Sequence, residues 1–136
     1  MSNLEKTLSI IKPDAVERNL DSEIKQFFKS KGFTIIKEKK IQLEKFEAEQ
    51  FYKVHETKPF YNDLCSYLSS GPIIVMVLEK ENAVLENREV MGATNPKDAN
   101  EGTLRKMYGI SIDKNSVHGS DSIENAKIEI EFFFKD

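Results

Sequence analysis

Apolar and polar residues follow one another along the chain in a pattern that predicts alternating strands and helices. Lys6 to Lys12 is rich in Thr, Leu and Ile and reads as a strand, ended by Pro13, which brings no N–H to a ladder. Ile24, Phe27, Phe28 and Lys31 sit at helical spacing after a start at Asp21 or Ser22, and Gly32 is placed as a left-handed stop. Phe33 to Leu43 alternates as a second strand. Ala48, Phe51, Tyr52 and His55 share one face of a helix spanning Glu44 to Glu56. Another helix, Phe60 to Ser69, is opened by Pro59 and closed by Gly71. Pro72 then introduces the unbroken apolar run Ile73 to Leu78, the signature of a central strand covered on both faces.

Further on, Asn82 to Met91 predicts a helix ended by Gly92, a polar loop reaches Gly102, and Leu104 to Tyr108 allows one more turn. Ser116 to His118 forms a short fourth strand in this reading. A last helix runs from Ser122 to Phe133, with Ser120 as its N-cap and Ile123, Ala126, Ile130 and Phe133 turned inward. The order β-α-β, helical hairpin, β-α-β is the plan of an α+β, ferredoxin-like βαββαβ fold: a four-stranded antiparallel sheet with helices on one face. With 136 residues and no repeat or linker, residues 1–136 are expected to form a single domain.

Composition narrows the function classes. The longest apolar run is far below the roughly 20 residues of a membrane span, and no cleavable leader is visible, so a soluble, unprocessed and cytoplasmic protein is expected. The lone Cys65 makes neither an internal disulfide nor a zinc motif and suits a reducing interior. A formal charge of −3 gives no field to draw in nucleic acid or an anionic membrane, so any anion must be held locally. Arginine, the residue best shaped for phosphate, occurs only at Arg18, Arg88 and Arg105.

The segment Asn115-Ser116-Val117-His118-Gly119-Ser120-Asp121-Ser122 joins a strand end to a helix start, a junction suited to anions. His118 there is a candidate nucleophile toward phosphorus, provided that an acceptor holds its other ring nitrogen as N–H. Glu129, on the following helix, is the candidate acceptor. Read alone, His118 is better explained as a turn residue beside Ser120 and Asp121 acting as helix caps, with Glu129 solvated. Lys12, at the end of the first strand, can reach the same place. Arg88 and Arg105 flank the Gly92-Ala93-Thr94-Asn95-Pro96 loop and with the Thr94 hydroxyl can clamp a polyphosphate, although either arginine alone reads as a surface ion pair and the loop alone as a turn. Phe60 is either a stacking platform for a base or a core residue, and His55 either a ligand or a half-buried histidine.

Taken together, Ile11-Lys12-Pro13-Asp14-Ala15-Val16, Ser70-Gly71-Pro72, Met91-Gly92-Ala93-Thr94-Asn95-Pro96, Gly102-Thr103-Leu104-Arg105 and the Asn115 to Ser122 segment resemble the nucleoside diphosphate kinase family. The resemblance runs from Thr7 to Phe134. It implies a ping-pong transfer of the γ-phosphate of a nucleoside triphosphate to a nucleoside diphosphate through a phosphohistidine at His118. It further implies that Glu129 and Tyr52 orient the ring, and that Arg88, Thr94, Arg105 and His55 face the phosphates. Lys12 and Asn115 would hold the sugar hydroxyl, Lys12 also the transferred group. Phe60 would stack on the base, with Ile112 opposite. Mg²⁺ would ride on the nucleotide phosphates, with Asp121 reaching it through water, and the chain would assemble into a tetramer or hexamer. Lys106-Met107-Tyr108 and Glu101 depart from the family pattern, which leaves a non-catalytic nucleotide-binding module as the alternative, ahead of a histidine phosphocarrier charged by a partner protein.

Overall fold

The computed structural model describes residues 4–111 and 114–134 of the chain, apart from the side chain of Val54. Four strands, β1 (Leu4–Ile11), β2 (Thr34–Ile41), β3 (Ile73–Glu81) and β4 (Val117–Gly119), form one antiparallel sheet in the order β2-β3-β1-β4. Seven α-helices connect them: α1 (Pro13–Glu17), α2 (Asp21–Ser30), α3 (Lys45–Phe51), α4 (Tyr61–Leu68), α5 (Ala83–Met91), α6 (Leu104–Tyr108) and α7 (Ile123–Phe133). This is the α+β ferredoxin-like arrangement. No helix among the described residues is long and apolar enough to cross a membrane.

Helices cover both faces of the sheet, not one, because β1 and β3 bury side chains of both parities. Ile11, Met76 and Leu78 point to a core closed by Ile24 and Phe28 of α2, Ala83 and Met91 of α5 and Leu104 of α6. Leu8, Ile10, Ile73 and Val75 point the other way, against Ala48 of α3, Cys65 and Leu68 of α4 and Phe133 of α7. β3 is therefore an unbroken apolar run from Ile73 to Leu78 where it is sandwiched, while β1 also buries Thr7 and Ser9. β2 is an edge, largely exposed, and is bent by a bulge at Ile36, since Ile35 pairs with Leu78 and Lys37 with Val77.

Several local expectations are corrected. Pro13 ends β1 but also opens α1, where it sits at the first turn and its missing N–H costs nothing. The helix expected over Glu44 to Glu56 is shorter: α3 stops at Phe51 and a 3₁₀ turn, Lys53–His55, follows. Its start is a capping box in which Glu44 and Glu47 satisfy each other's backbone N–H. Ser120 does not cap α7; Ser122 does, its hydroxyl accepting from the Asn125 N–H at 3.0 Å. Ile123, expected inward, is 52% exposed, while Ala126 and Phe133 are buried.

Phe28 is fully buried and packs edge-on against Phe33, ring centroids 5.5 Å apart. Phe28→Ala is expected to lower the unfolding free energy by about 3–5 kcal/mol, through lost transfer energy and the cavity left behind. A urea titration followed by far-UV circular dichroism measures this; a loss below about 1 kcal/mol would show that this core does not carry the fold.

Candidate active site

The site grows out of the pairing between β1 and the three-residue strand β4. Ile10 lies opposite His118 and Ile11 opposite Val117, and the Lys12 N–H donates to the Ser116 carbonyl at 2.8 Å. Strand alternation then sends Val117 into the core beneath α5 and His118 to the opposite face. There the imidazole packs edge-on against Phe51, with centroids 5.3 Å apart, and against Tyr52, at 6.3 Å. These rings leave few rotamers open to it.

His118 Nε2 is 3.1 Å from Glu129 Oε1, and the same oxygen accepts from the Ser120 hydroxyl at 2.9 Å. Ser120 is itself fixed, because its Oγ accepts from the Leu8 N–H at 3.3 Å. Ser120 thus serves as a strut between β1 and Glu129 and not as a helix cap. The Tyr52 hydroxyl is buried and has no hydrogen-bond partner among the described residues, and burial, followed by the Glu129 charge, pushes its proton affinity well above the ordinary phenol range. Gly119 must lack a side chain: a Cβ there would fall 2.3 Å from Asn87 Nδ2, and Asn87 is itself fully buried on α5.

Lys12, only 5% exposed, places Nζ 2.9 Å from Asn115 Oδ1, and Asn115 Nδ2 donates to the Thr94 carbonyl at 3.1 Å. One amide therefore links the end of β1 to the loop after α5. Arg105, at 9% exposure, is anchored through two nitrogens, to the Gly92 carbonyl and to the Val117 carbonyl, each at 3.0 Å. Its Nε is buried and unsatisfied by protein. Burial pulls this guanidinium down to about 10, Tyr52 opposing and Arg88 reinforcing the shift, so it remains a cation at neutral pH. Arg88 and Thr94 are exposed and line, with Gly92 and Arg105, a groove of ≈ 580 Å³.

Phe60, 45% exposed, precedes α4 with Lys58 Nζ 5.7 Å from its ring centroid, so it lies at the surface and not in the core. His55 stands between it and Tyr52, each centroid 6.2 Å away, and its Nδ1 is buried without a hydrogen-bond partner among the described residues. Asp121 is exposed and accepts from Asn125 Nδ2 at 2.6 Å. Ile112 lies outside the described residues. A second groove, ≈ 510 Å³ between β1 and α7, is lined by Leu4, Ile123, Ile130 and Phe134 among others and holds none of these groups.

Sequence reasoning missed the buried carboxylate Asp14 and its partners Arg18, Tyr67 and Ser116. Local pattern gives no hint of bonds spanning 53 and 102 positions. The visible signal was an acidic residue in the first turn of a Pro-led helix beside Lys12.

A ferredoxin-like sheet that sets a carboxylate-held histidine beside a lysine and a groove lined by arginines has the build of a phosphotransferase. The nucleoside diphosphate kinase family model matches residues 5–136. A nucleoside diphosphate kinase of Campylobacter lari is 60% identical over 131 residues, covering 96% of each chain, and one of Persephonella marina is 55% identical over 132 residues, covering 97% of this chain and 94% of that protein. The crystal structure of the Aquifex aeolicus nucleoside diphosphate kinase superposes with a TM-score of 0.95 at 38% identity, covering 96% of this chain and 95% of the other. The chain belongs to the nucleoside diphosphate kinase family and is a kinase of that class.

The Glu129 contact should hold the proton of neutral His118 on Nε2. Nitrogen NMR of the labelled histidine is expected to show that tautomer in the wild type and a mixture in Glu129→Ala. An unchanged tautomer in the variant would show that Glu129 does not set it.

Proposed function

We propose that the chain carries phosphate covalently on Nδ1 of His118 and passes it from nucleoside triphosphates to nucleoside diphosphates in a ping-pong reaction. The observation that supports this most directly is the 3.1 Å contact between His118 Nε2 and Glu129. A proton held at Nε2 leaves the lone pair on Nδ1, where nucleophilic attack requires it. In the first half-reaction that pair attacks the γ-phosphorus, the bond to the β,γ-bridging oxygen breaks, and the nucleoside diphosphate departs with the electrons. In the second, a terminal oxygen of another diphosphate attacks the same phosphorus, the P–N bond breaks, and Nδ1 recovers its pair.

The transition state spreads negative charge over the transferred group, so catalysis depends on placed cations. Lys12, Arg88 and Arg105 would supply them, with Thr94 and His55 adding contacts to the phosphate chain and Tyr52 joining Glu129 in orienting the ring. Lys12 and Asn115 would take the sugar hydroxyl, and Phe60 and Ile112 would enclose the base by stacking. The cationic donor set fits a Mg²⁺ ion delivered on the nucleotide, which the exposed Asp121 would touch through water. Such an ion would supply charge neutralisation on the phosphates beside Lys12, Arg88 and Arg105.

Residues 1–136 would form one domain that works as a cytoplasmic homo-oligomer, tetramer or hexamer. The open edge of β2 supports assembly, and the free, buried thiol of Cys65 suits a reducing compartment. With a net charge of −3, nucleic acid is not an expected partner.

Incubation with γ-labelled ATP is expected to leave acid-labile, base-stable label on the protein, and His118→Ala to abolish both label and exchange. Exchange retained by that variant would refute the mechanism. Arg105 gives a pH test. Loss of its proton removes positive charge, so nucleoside diphosphate affinity should hold below pH 9 and fall as pH rises through about 10. Calorimetric titration across that range checks the sign, and affinity that rises with pH would exclude Arg105 from phosphate binding.

A further inference from the structure

We propose that Asp14, Arg18, Tyr67 and Ser116 are positioning residues, a hydrogen-bonded hub centred on the buried Asp14 and Ser116 that holds Lys12, Arg105, Asn115 and His118 in one arrangement; the proposal rests on the phosphohistidine reading above. Asp14 is 5% exposed, and its carboxylate is surrounded by donors. Oδ2 accepts from the Ser116 hydroxyl at 2.7 Å and from Arg18 at 3.1 Å, and Oδ1 accepts from the Tyr67 hydroxyl. The Tyr67 oxygen in turn accepts from the Asp14 N–H at 2.8 Å. Arg18 closes the ring: Nε donates to the Asp14 carbonyl at 3.0 Å, and a terminal nitrogen reaches the Tyr108 carbonyl at 2.5 Å and Ser116 Oγ at 3.1 Å.

Each partner stands at the root of a different part of the site. Asp14 follows Lys12 by two residues. Tyr67 is on α4, which Phe60 precedes. Tyr108 ends α6, which carries Arg105. Ser116 sits between Asn115 and the strand bearing His118. None of the four touches the imidazole in the described contacts, so their effect can only pass through the groups that they hold.

Ser116 is the mechanical centre of this hub. Its φ is +74°, a left-handed value that serine rarely adopts, and the Val117 N–H donates back to the Asn115 carbonyl at 2.9 Å, closing a tight three-residue turn. The same residue offers its carbonyl to Lys12, so the strained turn is also the first rung joining β4 to β1. A strained conformation persists only where its surroundings over-determine it. Here the hydroxyl bond to a buried carboxylate provides that constraint, and glycine, which adopts the same φ freely, would leave the turn loose. Charge-assisted bonds of this kind are stronger and more directional than neutral ones, which suits a brace.

The test measures single-turnover phosphorylation of His118 by γ-labelled ATP, alongside ADP affinity by calorimetry and thermal midpoint, in Ser116→Ala, Ser116→Gly, Asp14→Asn and the double variant Ser116→Ala/Asp14→Asn. Displacement of the acceptor by a fraction of an ångström is expected to slow labelling about tenfold in each single variant, and loosening of Arg105 and Asn115 to weaken ADP binding by a smaller factor. Ser116→Gly should be as slow as Ser116→Ala despite its relaxed backbone. The double variant should be no slower than the slower single one, because both remove the same bond. Labelling within twofold of wild type in folded variants, or rates that fall only in step with thermal stability, would overturn the hub. If Asp14→Asn does not fold, the two Ser116 variants decide the matter alone. An unlabelled wild type would instead overturn the phosphohistidine reading beneath it.

Discussion

The arrangement of the site depends on the antiparallel pairing of β1 with a strand of only three residues, Val117–Gly119. A ladder this short gains little by itself, and it is secured at both ends by bonds from outside the strand. At one end Lys12 donates to Ser116; at the other Ser120 donates its N–H to Leu8 and receives the Leu8 N–H on its hydroxyl. Register follows from these fixings. A slip by one residue would exchange Val117 and His118 between faces, burying an imidazole beneath α5 and setting a valine against Phe51 and Tyr52.

Electrostatically, the molecule is a mildly acidic protein with a concentrated cationic site. Lys12 and Arg105 are both nearly buried, and their donors are aimed by bonds to Asn115, Gly92 and Val117. Holding them there carries a desolvation penalty that is visible in the lowered proton affinity of Arg105. Cations fixed in a partly dry wall do not have to reorganise when negative charge arrives, which is the condition for strong electrostatic stabilisation.

Periodicity made the strands and most helices legible, because apolar spacing reports directly on which side chains must leave water. The two-faced cover of the sheet was also written in Ile73 to Leu78, although the topology alone suggested helices on one side. Boundaries failed where side chains compete for backbone groups. Serines at 120 and 122 look equivalent in sequence, and only the position of Leu8 in space decides that one braces β1 while the other caps α7. His118, Glu129, Lys12 and Arg105 could be named from residue types and motif order. Asp14 and Ser116 could not, since their meaning lies in a bond across 102 residues and in a positive φ at a residue that is not glycine.

β4 is the last strand on its side of the sheet, and its outer carbonyl at Val117 is occupied by Arg105. A fifth strand added there would have to evict that guanidinium and close over the imidazole. The sheet can therefore lengthen in one direction only, from β2. The open edge and the strand that carries His118 thus lie at opposite rims of a single layer, so a change at one rim need not disturb the other.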